Sequence, residues 1–260
     1  MKRTTIALAA GATVAGAALG THAWMQRRAT TALPAAPPHT QVSLVIPRFP
    51  VLERITGGAD PARPLPLVLV LHGIGADERQ LLKYTALDVP ARLVYVRGAR
   101  LAGETPAAGY SYFAARFAGD KQAFLAQVEA VAAQLVRALD IIASQRAISR
   151  TLALGYSQGG HIAWMLATMG RFDVVLPVSG ALPEGYRPPL SVGRTLIRGE
   201  GDKTLPLAAG AGTFRAFEAS GYKGSLARPR GTHALTTIGR HIGPTLALAI
   251  SAPAISGPTT

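Results

Sequence analysis

Gly155-Tyr156-Ser157-Gln158-Gly159-Gly160 decides the reading of this chain, because it stands where a strand pattern gives way to a helix pattern. Thr151-Leu152-Ala153-Leu154 is a short apolar run of the kind buried in a sheet, and the residues from Gln158 to about Met169 carry helical spacing. A serine on so sharp a turn is held in a strained backbone conformation, with its hydroxyl exposed above the sheet. Glycines two positions before and after it leave room for the neighbouring strand and helix. The next N–H groups open a helix, so they point at negative charge developing on a bound carbonyl oxygen. The bland alternative is a glycine-rich turn carrying a solvated serine. With 28 glycines in 260 residues, the surroundings have to decide between the two.

The surroundings are those of one α/β domain. Gln41–Ile46 reads as an edge strand, Leu67–Leu71 as a parallel strand buried on both faces, and Leu93–Val96 as the next strand. A short helix is expected near Asp77, whose carboxylate suits its first turn. Residues 97–119 form an irregular Gly/Ala/aromatic stretch, long enough to be a binding loop or lid. Lys121 to about Ser144 is a long alanine-rich helix with apolar residues at helical spacing. Val174–Leu176 and Thr195–Ile197 are further strands. A helix over Leu207–Ser220, a strand near Ser225–Ala227 and a closing helix from about Gly239 to Ile250 follow. This order predicts an open, mostly parallel sheet with helices on both faces, its functional residues beyond the carboxyl ends of the strands.

An elbow serine needs a base, and the base an orienting carboxylate, in the chain order serine, acid, histidine. Of the histidines downstream, His161 lies one turn into the elbow helix and reads as packing, and His241 falls at the start of the last helix. His233 occupies the loop between the last strand and that helix, which suits a base. Asp202 follows the Thr195–Ile197 strand and is the expected acid, with Glu200 and Glu184 as rivals; Asp173 begins its strand and so stands at the wrong end. The oxyanion hole is expected from the backbone N–H groups of Ile74 and Gln158, with His72 orienting its loop through the ring nitrogens. Tyr110, Tyr112 and Phe113 are the expected lining of a substrate pocket.

Five ordered blocks carry a resemblance: Leu71-His72-Gly73-Ile74-Gly75-Ala76-Asp77-Glu78, the serine elbow, Ser179-Gly180-Ala181-Leu182-Pro183, Asp202 through Pro206, and Gly231-Thr232-His233. From about residue 65 to 250 the chain resembles the phospholipase/carboxylesterase family of α/β-hydrolases, which includes bacterial carboxylesterases and acyl-protein thioesterases. The resemblance implies an α/β-hydrolase fold without a large cap domain and a serine esterase acting on carboxylic or thio-esters, lysophospholipids among them. Ser157 is then the nucleophile, Asp202 the acid, His233 the base, and the N–H groups of Ile74 and Gln158 the oxyanion donors. His161 departs from the pattern, since the family usually has a small or apolar residue there, and residues 97–119 match only loosely. Two rivals stay open: a serine peptidase or amidase on the same fold, and a non-catalytic protein binding envelope components through a hydrolase scaffold.

The rest of the sequence bears on place and partners. The formal charge is +13, with 22 arginines among 27 basic residues, and no acidic residue precedes Glu53. That suits either an arginine-rich surface in water or attraction to anionic headgroups. No basic stretch is interleaved with aromatics, so nucleic acid is not an expected partner. Lys2-Arg3 precedes an apolar run from Ile6 to Leu19, extendable to Met25. Residues 1–28 therefore read as a signal peptide, with a poor cleavage site after Ala23, or as a membrane anchor through residues 6–25. Export is expected, whether to the periplasm, to the medium or to a membrane tether. Pro34, Pro37 and Pro38 make residues 29–40 a stiff linker to a catalytic domain over residues 41–252, with a short tail at 253–260. There is no cysteine, no His-Glu-x-x-His helix and no Cys/His cluster, so neither metal nor other cofactor is expected.

Overall fold

A computed structural model describes residues 46, 48–114, 120–191, 196–200, 207–227 and 233–252. They fall within one compact unit, Leu33–Thr260. The expected signal or anchor segment, the linker, Asp202 and most of the Gln41–Ile46 strand lie outside the described residues.

Seven strands form the main sheet: β1 (Val51–Thr56), β2 (Leu65–Leu71), β3 (Ala91–Val96), β6 (Ile148–Tyr156), β7 (Val174–Val178), β8 (Leu196–Glu200) and β9 (Lys223–Ala227). Their spatial order is β1-β3-β2-β6-β7-β8-β9. Among the described residues only β1 runs antiparallel in this sheet, and its other pairings are parallel. Two short strands, β4 (Arg100–Leu101) and β5 (Tyr110–Ser111), make a separate hairpin. The helices are α1 (Lys121–Gln145), α2 (Gln158–Ala167), α3 (Leu207–Ala219) and α4 (Leu235–Ser251).

The two-residue period of each strand divides the core into two layers. Leu67, Leu69 and Leu71 of β2, with Ala153 and Val175, face Val128, Leu135 and Leu139 of α1, Trp164 of α2 and Phe217 of α3. Their neighbours Val68 and Val70, with Leu152, Leu154, Leu176 and Val178, face Ile238, Ile242 and Leu246 of α4. Helices therefore cover both faces of the sheet, and each central strand is apolar throughout because both its sides are buried. Asp120 starts α1 by accepting the N–H groups of Gln122 and Ala123 on one carboxylate oxygen.

Among the described residues β1 stands at one edge of the sheet, a strand not recognisable as apolar because Glu53 and Arg54 interrupt it. Glu53 is nonetheless buried, in ion pairs with the fully buried Arg92 and with Arg146. Asp77 caps a turn and not a helix, accepting the Arg79 N–H on its side chain and the Gln80 N–H on its carbonyl; only a 3-10 turn at Leu82–Tyr84 follows. The stretch after Arg97 is ordered by the β4–β5 hairpin, and the closing helix begins at Leu235 ahead of Gly239.

Candidate active site

The strand–turn–helix at Ser157 is built as its sequence demands. Ser157 has φ 55° and ψ −110°, a strained combination for a residue with a side chain. Its N–H donates to the Val178 carbonyl (2.9 Å) and its carbonyl accepts the His161 N–H (3.1 Å), so β7 and α2 hold the strain from both sides. A Cβ on Gly155 would stand 2.0 Å from the Gly159 carbonyl oxygen, and one on Gly159 would stand 2.5 Å from that of Leu71. Both glycines are required by the closeness of strand and helix, and only they let the serine project from the sheet.

His233 enters from the loop before α4. Its Nε2 lies 2.8 Å from the Ser157 hydroxyl. The residue is further fixed by Tyr156, whose hydroxyl donates to the His233 carbonyl and whose ring centroid lies 5.3 Å from the imidazole. Asp202 is outside the described residues; β8, which leads to it, ends at Glu200, and β7 alone separates β8 from the serine strand. Of the rival acids, Glu184 is exposed on the loop after β7.

The loop after β2 crosses over the serine. A Cβ on Gly73 would come within 3.3 Å of the Ser157 Cβ, which is how closely that backbone passes. Gly73 N–H donates to Gln80 Oε1 (2.8 Å), Gly75 N–H to the Tyr110 carbonyl (3.0 Å), and Gly159 N–H to the His72 carbonyl (3.1 Å). Between these committed groups, the N–H groups of Ile74 and Gln158 donate to no partner among the described residues. Two uncommitted donors flanking a nucleophile are what an oxyanion requires.

His72 orients this loop. Its Nδ1 lies 2.7 Å from the Gly73 carbonyl, and its Nε2 accepts the Gly98 N–H at 2.9 Å. That pattern fixes the neutral ring with the proton on Nδ1, and burial pushes its pKa down to about 4. The His72 N–H in turn donates to the Tyr112 hydroxyl (3.1 Å), which itself donates to the Val96 carbonyl.

Two of the three aromatic residues expected to line a pocket turn inward. Tyr112 and Phe113 are buried in the core, the first by its bonds to the His72 loop and the second edge-on to Phe124. Tyr110 carries the Arg97 guanidinium 4.5 Å above its ring and bridges by its backbone to Ala76. What holds this segment in place is the Gln158 side chain, a role the sequence did not signal. Its Oε1 accepts the Tyr112 N–H (2.9 Å), and its Nε2 donates to the Ser111 hydroxyl (2.9 Å) and the Phe113 carbonyl (3.0 Å).

Two cavities border the loop after β7 among the described residues. A cleft of about 350 Å³ is lined by Asp120, Lys121, Phe124, His161, Ala181, Leu182 and Pro183. A larger one, about 840 Å³, shares Leu182 and Pro183 and runs between the 182–188 loop and α3. Among the described residues no group of three or more His, Asp or Glu is placed to hold a metal ion, and no helix is long and apolar enough to cross a membrane.

Solved structures share this architecture over most of the chain. A carboxylesterase from Mesorhizobium loti matches with a TM-score of 0.62 at 18% identity, over 82% of this chain and 100% of its own. YahD, solved with malic acid, matches with a TM-score of 0.61 at 19% identity, over 78% of this chain and 100% of its own. A Bacillus cereus carboxylesterase matches with a TM-score of 0.60 at 20% identity, over 75% of this chain and 91% of its own. No protein-family profile matches the chain, and no curated protein does. The fold is that of the α/β-hydrolases, and among the described residues no large cap stands over the carboxyl end of the sheet.

Proposed function

We propose that this chain is an exported serine hydrolase that cleaves carboxylic esters through an acyl-enzyme. The single observation that carries the reading is the His233 Nε2 at 2.8 Å from the hydroxyl of a serine held at φ 55°. In this reading His233 takes the proton as the Ser157 oxygen attacks the ester carbonyl. The negative charge that forms on the carbonyl oxygen meets the N–H groups of Ile74 and Gln158. Collapse of the tetrahedral adduct breaks the bond to the alcohol, which leaves with the proton from His233. Water then enters by the same route, and the freed acid departs as Ser157 regains its proton. Asp202 is assigned the task of holding the imidazole tautomer, on its place in the chain order and its position after β8.

Two of the solved structures of this fold are carboxylesterases, which supports an ester over other acyl substrates. Small-molecule esters, thioesters and lysophospholipids all fall within the proposal. No cofactor enters the mechanism. The apolar run from Ile6 to Met25 supports export, with the domain either released or tethered.

The test is hydrolysis of p-nitrophenyl esters from acetate to palmitate by residues 33–260, with Ser157→Ala alongside. The expected outcome is a loss of about 10³-fold or more in kcat, leaving only the residual contribution of binding and the oxyanion hole. Full activity in Ser157→Ala would refute the assignment. The chain-length optimum separates a short-ester enzyme from one directed at lipids.

A further inference from the structure

His161 stands one turn of α2 beyond Ser157, its N–H donating to the Ser157 carbonyl (3.1 Å). Its ring is half-buried and edge-on to Phe124, with centroids 5.4 Å apart, and it lines the cleft of about 350 Å³. The remaining walls are Ala181, Leu182 and Pro183, with Asp120 and Lys121 at one end. Nδ1 is held by the backbone of Ala181, beside that residue's carbonyl and 3.1 Å from its N–H. Nε2 has no partner among the described residues.

We infer that this cleft receives a hydroxyl-bearing portion of the ester, and that His161 selects for it by a hydrogen bond from the hydroxyl to its second ring nitrogen. The inference rests on the esterase reading above and specifies the substrate of that site. With Nδ1 engaged by Ala181, Nε2 is the one ring nitrogen left to whatever enters the cleft, and it is not closed off from it. A hydroxyl both donates and accepts, so it serves whichever ring tautomer the Ala181 backbone selects.

An ionised group is disfavoured. Burial, against the opposing bond to Ala181, holds the His161 pKa down to about 4, so the ring is neutral at neutral pH. The charges at the cleft end oppose each other. The Asp120 carboxylate is engaged by the first turn of α1, and Lys121 Nζ donates to the Glu184 carbonyl at 3.3 Å. One helical turn, about 5.4 Å, separates His161 from the nucleophile along α2, so the hydroxyl belongs roughly three or four bonds from the ester carbon.

The experiment compares kcat/KM within two matched pairs. Methyl 3-hydroxybutyrate against methyl butyrate probes the acyl side, and 2-hydroxyethyl butyrate against ethyl butyrate probes the alcohol side. The wild type is expected to prefer the hydroxylated member of one pair by about tenfold, the worth of one buried hydrogen bond. His161→Asn keeps a group able to bond Ala181 but removes the second ring nitrogen. It is expected to abolish the preference while retaining activity on the plain ester. His161→Gln, which returns a polar atom near that position, is expected to restore it. A wild-type preference below twofold in both pairs, or a preference unchanged in His161→Asn, overturns the inference and leaves the esterase reading intact. Failure of the wild type to hydrolyse any of the four esters overturns both.

Discussion

At the scale of single residues, the site is made of groups whose freedom has been removed. Gln158 contributes twice: its backbone N–H donates to no partner among the described residues, while its side chain pins residues 111–113. His72 is locked by bonds at both ring nitrogens and kept neutral by burial, with its pKa pushed to about 4 against 6.5 for an ordinary histidine. Lowering the pH below 6.5 protonates this residue in the unfolded chain but not in the folded one. Stability therefore falls as pH drops from 6.5 towards 4, by up to roughly 3 kcal/mol from His72 alone. Denaturant titrations across that window are expected to show the decline, and His72→Asn to flatten it even though it is less stable at pH 7. An unchanged slope in the variant would mean that other groups govern the acid response.

At the scale of elements, the edge of the sheet is fastened by charge. Glu53 on β1 pairs with Arg92 on β3 and with Arg146 beyond α1, joining the antiparallel strand to the parallel ones and to the helix. Glu53→Ala leaves the fully buried Arg92 guanidinium without its counter-ion, and a loss of about 3–5 kcal/mol is expected by chemical denaturation. Replacing Glu53 and Arg92 together by leucine is expected to cost much less, because no uncompensated charge is left behind. A double replacement as damaging as the single one would contradict this account of the edge. The same pairing explains why β1 was illegible in the sequence: a glutamate and an arginine within six residues read as solvent-facing until their partners, 39 and 93 positions away for Glu53, are known. The serine elbow was legible for the opposite reason, since its serine and its two glycines fall within six consecutive residues. Tyr112, Phe113 and His161 share a third situation. Nothing local says that the two aromatics turn inward to the core while the histidine faces a cleft, because the His72 loop holds Tyr112 and Phe124 of α1 packs against Phe113 and His161.

At the scale of the whole molecule, the mostly parallel sheet and the covering of both faces followed from alternating strand and helix patterns, and the solved structures share that fold at 18–20% identity. Place in the cell rests on the sequence before Glu53, where all five charged residues are basic and flank the apolar run. The full chain expressed in a Gram-negative host is expected in the envelope fraction, and a chain beginning at Leu33 in the cytosol. Equal distribution of the two would remove the case for export.

The most direct test of the central claim is to trap the covalent intermediate. The wild type is mixed with p-nitrophenyl acetate, quenched in acid within milliseconds, digested and mapped by mass spectrometry. The account predicts an acetyl group on Ser157 that accumulates with the burst of p-nitrophenol and is absent from His233→Ala. Hydrolysis at full rate with no adduct, or an adduct on any other residue, would contradict it.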